Sequence, residues 1–125
     1  MKFQIVVPSV RGWPHGQMYK EVAETLVHGF KALKHQAEIS LNDFTNDATN
    51  VVLGSYDLPD AMALNLPPEA VLYNLEQIRD ELLVTRPHFK AMLARHEVLD
   101  YSRQNVERLR GINHTYPLGS GRPLN

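Results

Sequence analysis

An α/β fold built on a mostly parallel sheet is what this sequence predicts, and three observations carry the prediction. Short runs such as Phe3–Val7 and Thr49–Leu53 are rich in β-branched residues and largely apolar instead of strictly alternating, the pattern of strands buried on both faces. Between residues 17 and 35, Val22, Ala23, Leu26, Val27, Phe30 and Leu33 recur at helical spacing and mark one face of a long amphipathic helix. The two patterns alternate along the chain about every 15 to 25 residues, which implies right-handed crossovers and a sheet covered by helices. The expectation is a single Rossmann-like domain over residues 1–118, with about five or six strands and helices on both faces. Residues 119–125 are expected to be a tail or a truncated interdomain linker.

Each element has a local reason. Phe3–Val7 is stopped by Pro8, and Ser9–Gly16 collects Gly12, Gly16, Pro14, Arg11, Trp13 and His15 into a loop. The helix over Gln17–His35 ends in Lys31, Lys34 and His35, cations that suit the negative end of a helix dipole. Ala37–Leu41 reads as a second strand and Thr49–Leu53 as a third, closed by Gly54. Tyr56–Pro68 is irregular, with room for one helical turn between Leu58-Pro59 and Pro67-Pro68. Ala70–Tyr73 is the fourth strand. Gln77–Leu83 and Pro87–Ala94 read as helices, Pro87 being suited to a first-turn position. Glu97–Tyr101 is a fifth strand, Arg103–Arg110 a helix with Gly111 at its C-cap, and Ile112–Leu118 a last strand.

The chain has 125 residues, 43% of them hydrophobic and 22% charged, the composition of one globular domain and not of a disordered or fibrous chain. Thirteen basic residues against fourteen acidic ones leave a net charge of −1, so no bulk attraction draws it to nucleic acid or to an anionic membrane. Cysteine is absent, which excludes disulfides and thiolate metal sites. No run approaches the roughly 18 apolar residues that would span a bilayer, and Met1–Pro8 is too short for a signal peptide. The expected location is cytoplasmic. The six histidines show neither H-x-x-x-H nor H-E-x-x-H spacing, so no metal site is expected. A dinucleotide fingerprint, a Walker A loop and a G-x-S-x-G elbow are also missing.

Three places could carry chemistry. The loop after the first strand lies at the sheet's C-terminal edge beside a helix N-terminus, where free N–H groups favour anions. Gly12 and Gly16 would admit a ligand to the backbone, Arg11 and Trp13 could contact it, and His15 titrates near neutrality and could act as a general base. An exposed or structural histidine is the plainer alternative. The fourth strand runs into Asn74, Glu76 and Gln77, an amide, a carboxylate and a second amide where ligands of open α/β sheets bind. A carboxylate in the first turn of a helix would explain Glu76 equally well. Asp100 and Ser102 occupy the corresponding edge after the fifth strand, with an N-cap as the alternative role for Asp100.

Taken in order, Glu21-Val22-Ala23-Glu24-Thr25-Leu26 with Ala32-Leu33-Lys34-His35, Asn50-Val51-Val52-Leu53-Gly54-Ser55, Tyr73-Asn74-Leu75-Glu76-Gln77, Asp100-Tyr101-Ser102-Arg103-Gln104-Asn105 and Pro117-Leu118-Gly119 form a consistent set. This set resembles a family of bacterial glycosyltransferases of the GT-B fold, and the likeness spans nearly the whole chain. Where that family usually has glycine before the helix-ending histidine, this chain has Lys34. The resemblance implies the N-terminal, acceptor-side half of a two-domain enzyme, with Pro117-Leu118-Gly119 leading toward a second domain. It implies a nucleotide-sugar donor as co-substrate, no tightly bound cofactor, and no metal held by a D-x-D motif. The acceptor would be a glycan or a small molecule, and a C-terminal donor-binding domain in cis or in trans would supply the contacts to the donor diphosphate. His15 matches the place where some GT-B enzymes keep a catalytic histidine, with Glu76 as a second candidate. Arg11, Gly12, Trp13, Gly16, Asn74, Gln77, Asp100 and Ser102 would bind substrate. These 125 residues alone are expected to be inactive, and a homodimer is compatible with the sequence. A stand-alone, non-catalytic Rossmann-like binding or interaction module is the alternative from a different class.

Overall fold

A computed structural model describes residues 1–8, 16–58, 60–100, 102–110 and 115–117. The strands are β1 (Lys2–Val7), β2 (Gln36–Leu41), β3 (Thr49–Leu53), β4 (Val71–Asn74), β5 (Glu97–Asp100) and β6 (Thr115–Pro117). The helices are α1 (Gly16–Ala32), α2 (Asp60–Leu64), α3 (Asp80–Thr85), α4 (Pro87–Arg95) and α5 (Arg103–Leu109), with a 3₁₀ turn at Ser55–Asp57. The strands form one sheet in the order β2-β1-β3-β4-β5, with β6 beside β5, and every pairing is parallel. This is the Rossmann-like topology the sequence predicts.

The sheet separates two cores. On one face α1 lays Tyr19, Ala23 and Phe30 over Phe3, Ile5, Val7, Val51 and Leu53. On the other, Ala63 of α2, Phe89, Met92 and Leu93 of α4 and Leu109 of α5 cover Val6, Val52, Leu72 and Val98. Alternate residues of β1, β3 and β4 thus feed opposite cores, which is why the central strands read as unbroken apolar runs.

Two stretches differ from the sequence reading. The irregular stretch between β3 and β4 contains both the 3₁₀ turn and α2. Helix α3 begins at Asp80, not Gln77, and the acids of its first turn are Asp80 and Glu81. Glu76 is therefore not a helix-capping carboxylate; it sits in a non-helical loop. The β2–β3 connection is held without a helix, since Asn50 is buried and binds Thr45 in both directions, accepting from its N–H (3.1 Å) and donating to its carbonyl (2.8 Å).

Helix α1 ends in a Schellman motif. His35 N–H reaches back to the Phe30 carbonyl and Lys34 N–H to that of Lys31, both at 2.9 Å. The His35 ring meets Phe30 edge-on, completing the apolar contact of this cap. Such a cap needs a left-handed residue, and Lys34 supplies it with φ 67°. A side chain in that region costs about 1 kcal/mol relative to glycine. Lys34→Gly is therefore expected to stabilise the domain by about 1 kcal/mol, raising the melting temperature by about 4 °C. A thermal melt checks this; an unchanged or lowered midpoint would contradict it.

Candidate functional site

In an open parallel sheet, ligands gather outside the carboxyl ends of the strands, above all where the strand order reverses. Here the reversal falls between β1 and β3, which are neighbours although the chain visits β2 between them. Gly54 closes β3 with φ 59°, and a Cβ built there would lie 2.8 Å from Tyr19 Cζ and 2.9 Å from Pro8 Cγ. Ser55 follows, and its Oγ is the one buried side-chain polar atom without a hydrogen bond among the described residues. Gly16 opens α1. Arg11, Gly12, Trp13 and His15 lie outside the described residues, as does Gly111.

The remaining candidates meet at the ends of β4 and β5. The parallel register sets Asn74 directly beside Asp100, each the last residue of its strand. Both are fully buried. Asn74 Nδ2 donates to Asp100 Oδ2 at 2.6 Å and to the Glu76 carbonyl at 2.8 Å, while its Oδ1 accepts from Glu76 N–H at 3.2 Å. Asn105, on the first turn of α5, completes the lock. Its Nδ2 donates to both Asp100 oxygens (3.0 Å each) and to the Glu76 carbonyl (2.8 Å), and its Oδ1 accepts from Ile78 N–H (2.8 Å). Asp100 Oδ1 also takes Ser102 N–H at 2.8 Å. The N-cap of α5 is Ser102, not Asp100, with Oγ accepting from Asn105 N–H at 3.4 Å.

The consequence is a division of labour. Asn74, Asp100 and Asn105 face one another and not solvent, and they clamp the backbone of Glu76 at its N–H and its carbonyl. The side chains of Glu76 and Ser102 remain half-buried and that of Gln77 exposed at the same edge. A carboxylate accepts from hydroxyls and an amide both donates and accepts, so this edge suits a polyhydroxylated ligand. Residue type does not single out Asn105 as a site residue, although the motif running from Asp100 to Asn105 contains it. Only the fold joins that motif to Asn74, 26 residues before Asp100.

Among the described residues no three histidine or acidic side chains converge as a metal site, and no helix is long and apolar enough to cross a membrane. A wide cavity of ≈530 Å³ opens at the amino ends of β1 and β2 beside Lys2, Lys31, His35, Glu38 and Asp47. None of the candidate site residues lines it.

Among the described residues, Tyr73 and His96 are perturbed. Burial raises the Tyr73 phenol above its ordinary value and keeps it a neutral donor. Burial also lowers His96, an effect that the neighbouring Arg95 reinforces and a hydrogen bond to the Ala70 carbonyl opposes. His96 Nδ1 donates to that carbonyl at 3.1 Å from a buried position. Because its folded pKa lies below the unfolded value of about 6.5, the unfolded chain binds the extra proton first. Stability from this group is full above about pH 6.5 and falls as the pH drops toward the folded value. His96→Asn, which can keep a donor to Ala70, is expected to flatten the loss below about pH 6.5, as urea midpoints would show. An identical pH profile in the variant would refute the assignment. No protein-family model matches the chain, and no curated protein sequence matches it either.

Proposed function

We propose that this chain is the acceptor-side domain of a GT-B-type glycosyltransferase, moving a sugar from a nucleotide-sugar donor to an acceptor hydroxyl. The observation that carries this reading is the clamped Glu76 loop. Two motif segments that resemble the glycosyltransferase family interlock through Asn74, Asp100 and Asn105 at the carboxyl edge of the sheet. Such bracing supports a binding edge whose geometry is set before the ligand arrives, which lowers the ordering cost of binding.

On this reading Glu76 and Gln77 hold acceptor hydroxyls, Ser102 lies beside them, and Asn74, Asp100 and Asn105 are positioning residues. His15 is the proposed general base. It would take the acceptor proton as the oxygen attacks the anomeric carbon and the nucleotide diphosphate departs. The donor would be held chiefly by a second, C-terminal domain, in cis or in trans, so this chain by itself binds acceptor without turning over.

The test is a ¹⁵N-resolved titration of the chain with a panel of neutral and acidic oligosaccharides and, separately, with nucleotide-sugars. Saturable shifts of the Glu76, Gln77 and Ser102 amides by an oligosaccharide, with nucleotide-sugars much weaker, are expected. Equal response to nucleotide-sugars, or none at these amides to any saccharide, would overturn the reading in favour of a non-catalytic module.

A further inference from the structure

A second polar feature lies beside the turn that follows β3. Arg86 ends the connection between α3 and α4, as the N-cap of α4. Its side chain reaches across to the turn that leaves β3, where Nη2 donates to the Tyr56 carbonyl at 2.6 Å. The guanidinium also stacks over the Tyr56 ring, 4.8 Å from its centroid, and Tyr56 is braced in turn by the edge-on Phe89 ring. Carbonyl and ring together fix the plane of a half-buried cation. One of its five N–H donors is thereby used. The others have no carboxylate among the described residues; Arg108 and Arg110 take Asp80 and Glu107 instead.

A guanidinium held in a fixed plane with no ion pair among the described side chains is more than a purely structural contact needs, since a neutral donor would satisfy one carbonyl. Arg86 opens with Thr85, Pro87 and His88 onto a cavity of ≈260 Å³. The Thr85 hydroxyl is turned back to the Glu81 carbonyl, and among the described residues no lysine or second arginine lines the wall. One fixed cation in a cavity of this size balances one negative charge. That is the charge of a carboxylate, whose two oxygens match the planar fork of arginine, and half that of a phosphomonoester dianion near neutrality.

We propose that Arg86 and the cavity beside it form a carboxylate-binding subsite, and that the acceptor is an acidic saccharide of the uronate type. The second half of this statement rests on the acceptor-side reading above; the subsite itself does not.

The experiment titrates the ¹⁵N-labelled chain with sodium glucuronate, with glucose as its neutral counterpart, and with inorganic phosphate. Glucuronate is expected to shift the Arg86 Nε–H and the His88 and Phe89 amides saturably, with glucose at least tenfold weaker. Arg86→Lys keeps the charge but loses the fork, and should weaken glucuronate at least tenfold with little change in melting temperature. The wild-type titration stands as a test even if that variant unfolds. Glucuronate that leaves Arg86 unmoved, or acts no better than glucose, overturns the subsite. Phosphate that saturates Arg86 where glucuronate does not overturns the carboxylate assignment. Shifts at Arg86 without shifts at Glu76, Gln77 and Ser102 would keep the subsite and remove the acceptor-side reading; the converse would do the reverse.

Discussion

Asp100→Ala is expected to destabilise the domain by about 4 kcal/mol, a large fraction of the roughly 5–15 kcal/mol that holds a typical domain together. The carboxylate is fully buried and accepts from Asn74 Nδ2, from Asn105 Nδ2 and from Ser102 N–H. Hydrogen bonds to a charged acceptor contribute about 1.5–3 kcal/mol each, and a buried donor left unmatched costs about 1–3 kcal/mol. The two amides keep a second acceptor in the Glu76 carbonyl, which offsets part of the loss. Asp100→Asn should be intermediate, because its Nδ2 would face amide donors. Urea denaturation gives the stability. Hydrogen exchange at Glu76 and Ile78, whose N–H groups bind Asn74 and Asn105, reports the loop itself. Asp100→Ala should speed exchange at both amides beyond the global change. A loss below about 1 kcal/mol with unchanged exchange would mean that the lock does not hold the loop.

The second large effect is expected at the end of β3. Gly54→Ala should cost about 3 kcal/mol, from a left-handed φ that L-residues adopt at about 1–2 kcal/mol and from overpacking of about 1–3 kcal/mol. The added methyl would meet the Tyr19 ring at 2.8 Å and Pro8 at 2.9 Å. Both neighbours are stiff, and Tyr19, a residue of α1, is itself fully buried against the sheet, so neither can yield at its far end. Gly29 is the internal control. It lies within α1, has nothing within 4 Å of a built Cβ, and Gly29→Ala should stabilise by about 0.5–1 kcal/mol. Opposite signs at two glycines would tie the Gly54 effect to its surroundings. A Gly54→Ala variant as stable as the parent would show that Tyr19 can move away.

The sequence by itself determined the architecture, because in a parallel sheet buried on both faces the apolar run is the strand. Ile5, Val6, Val51 and Val52 are wholly buried, and no other element type fits such short β-branched runs between amphipathic helices. It also marked Asn74, Glu76, Asp100 and Ser102 as residues of one sheet edge, since each ends a strand or comes within two residues of its end. Helix limits were less legible. Leu75 and Ile78 give Gln77–Leu83 a helical rhythm, but Ile78 N–H is taken by Asn105, so the helix starts only at Asp80.

Tertiary structure alone decided which edge residues meet. Polar residues at strand ends read alike in sequence, whether they point to solvent or to one another. The β4–β5 register puts Asn74 beside Asp100, and α5 brings Asn105 against both, which joins the three in a buried hydrogen-bonded brace. Glu76 and Gln77 are left at the surface by the same geometry. The left-handed cap at Lys34 and the stacking of Arg86 on Tyr56 belong to the same class. Hydrophobic periodicity encodes which face of an element is buried; it does not encode which polar groups meet across elements, and that is set by register and distance in the folded chain.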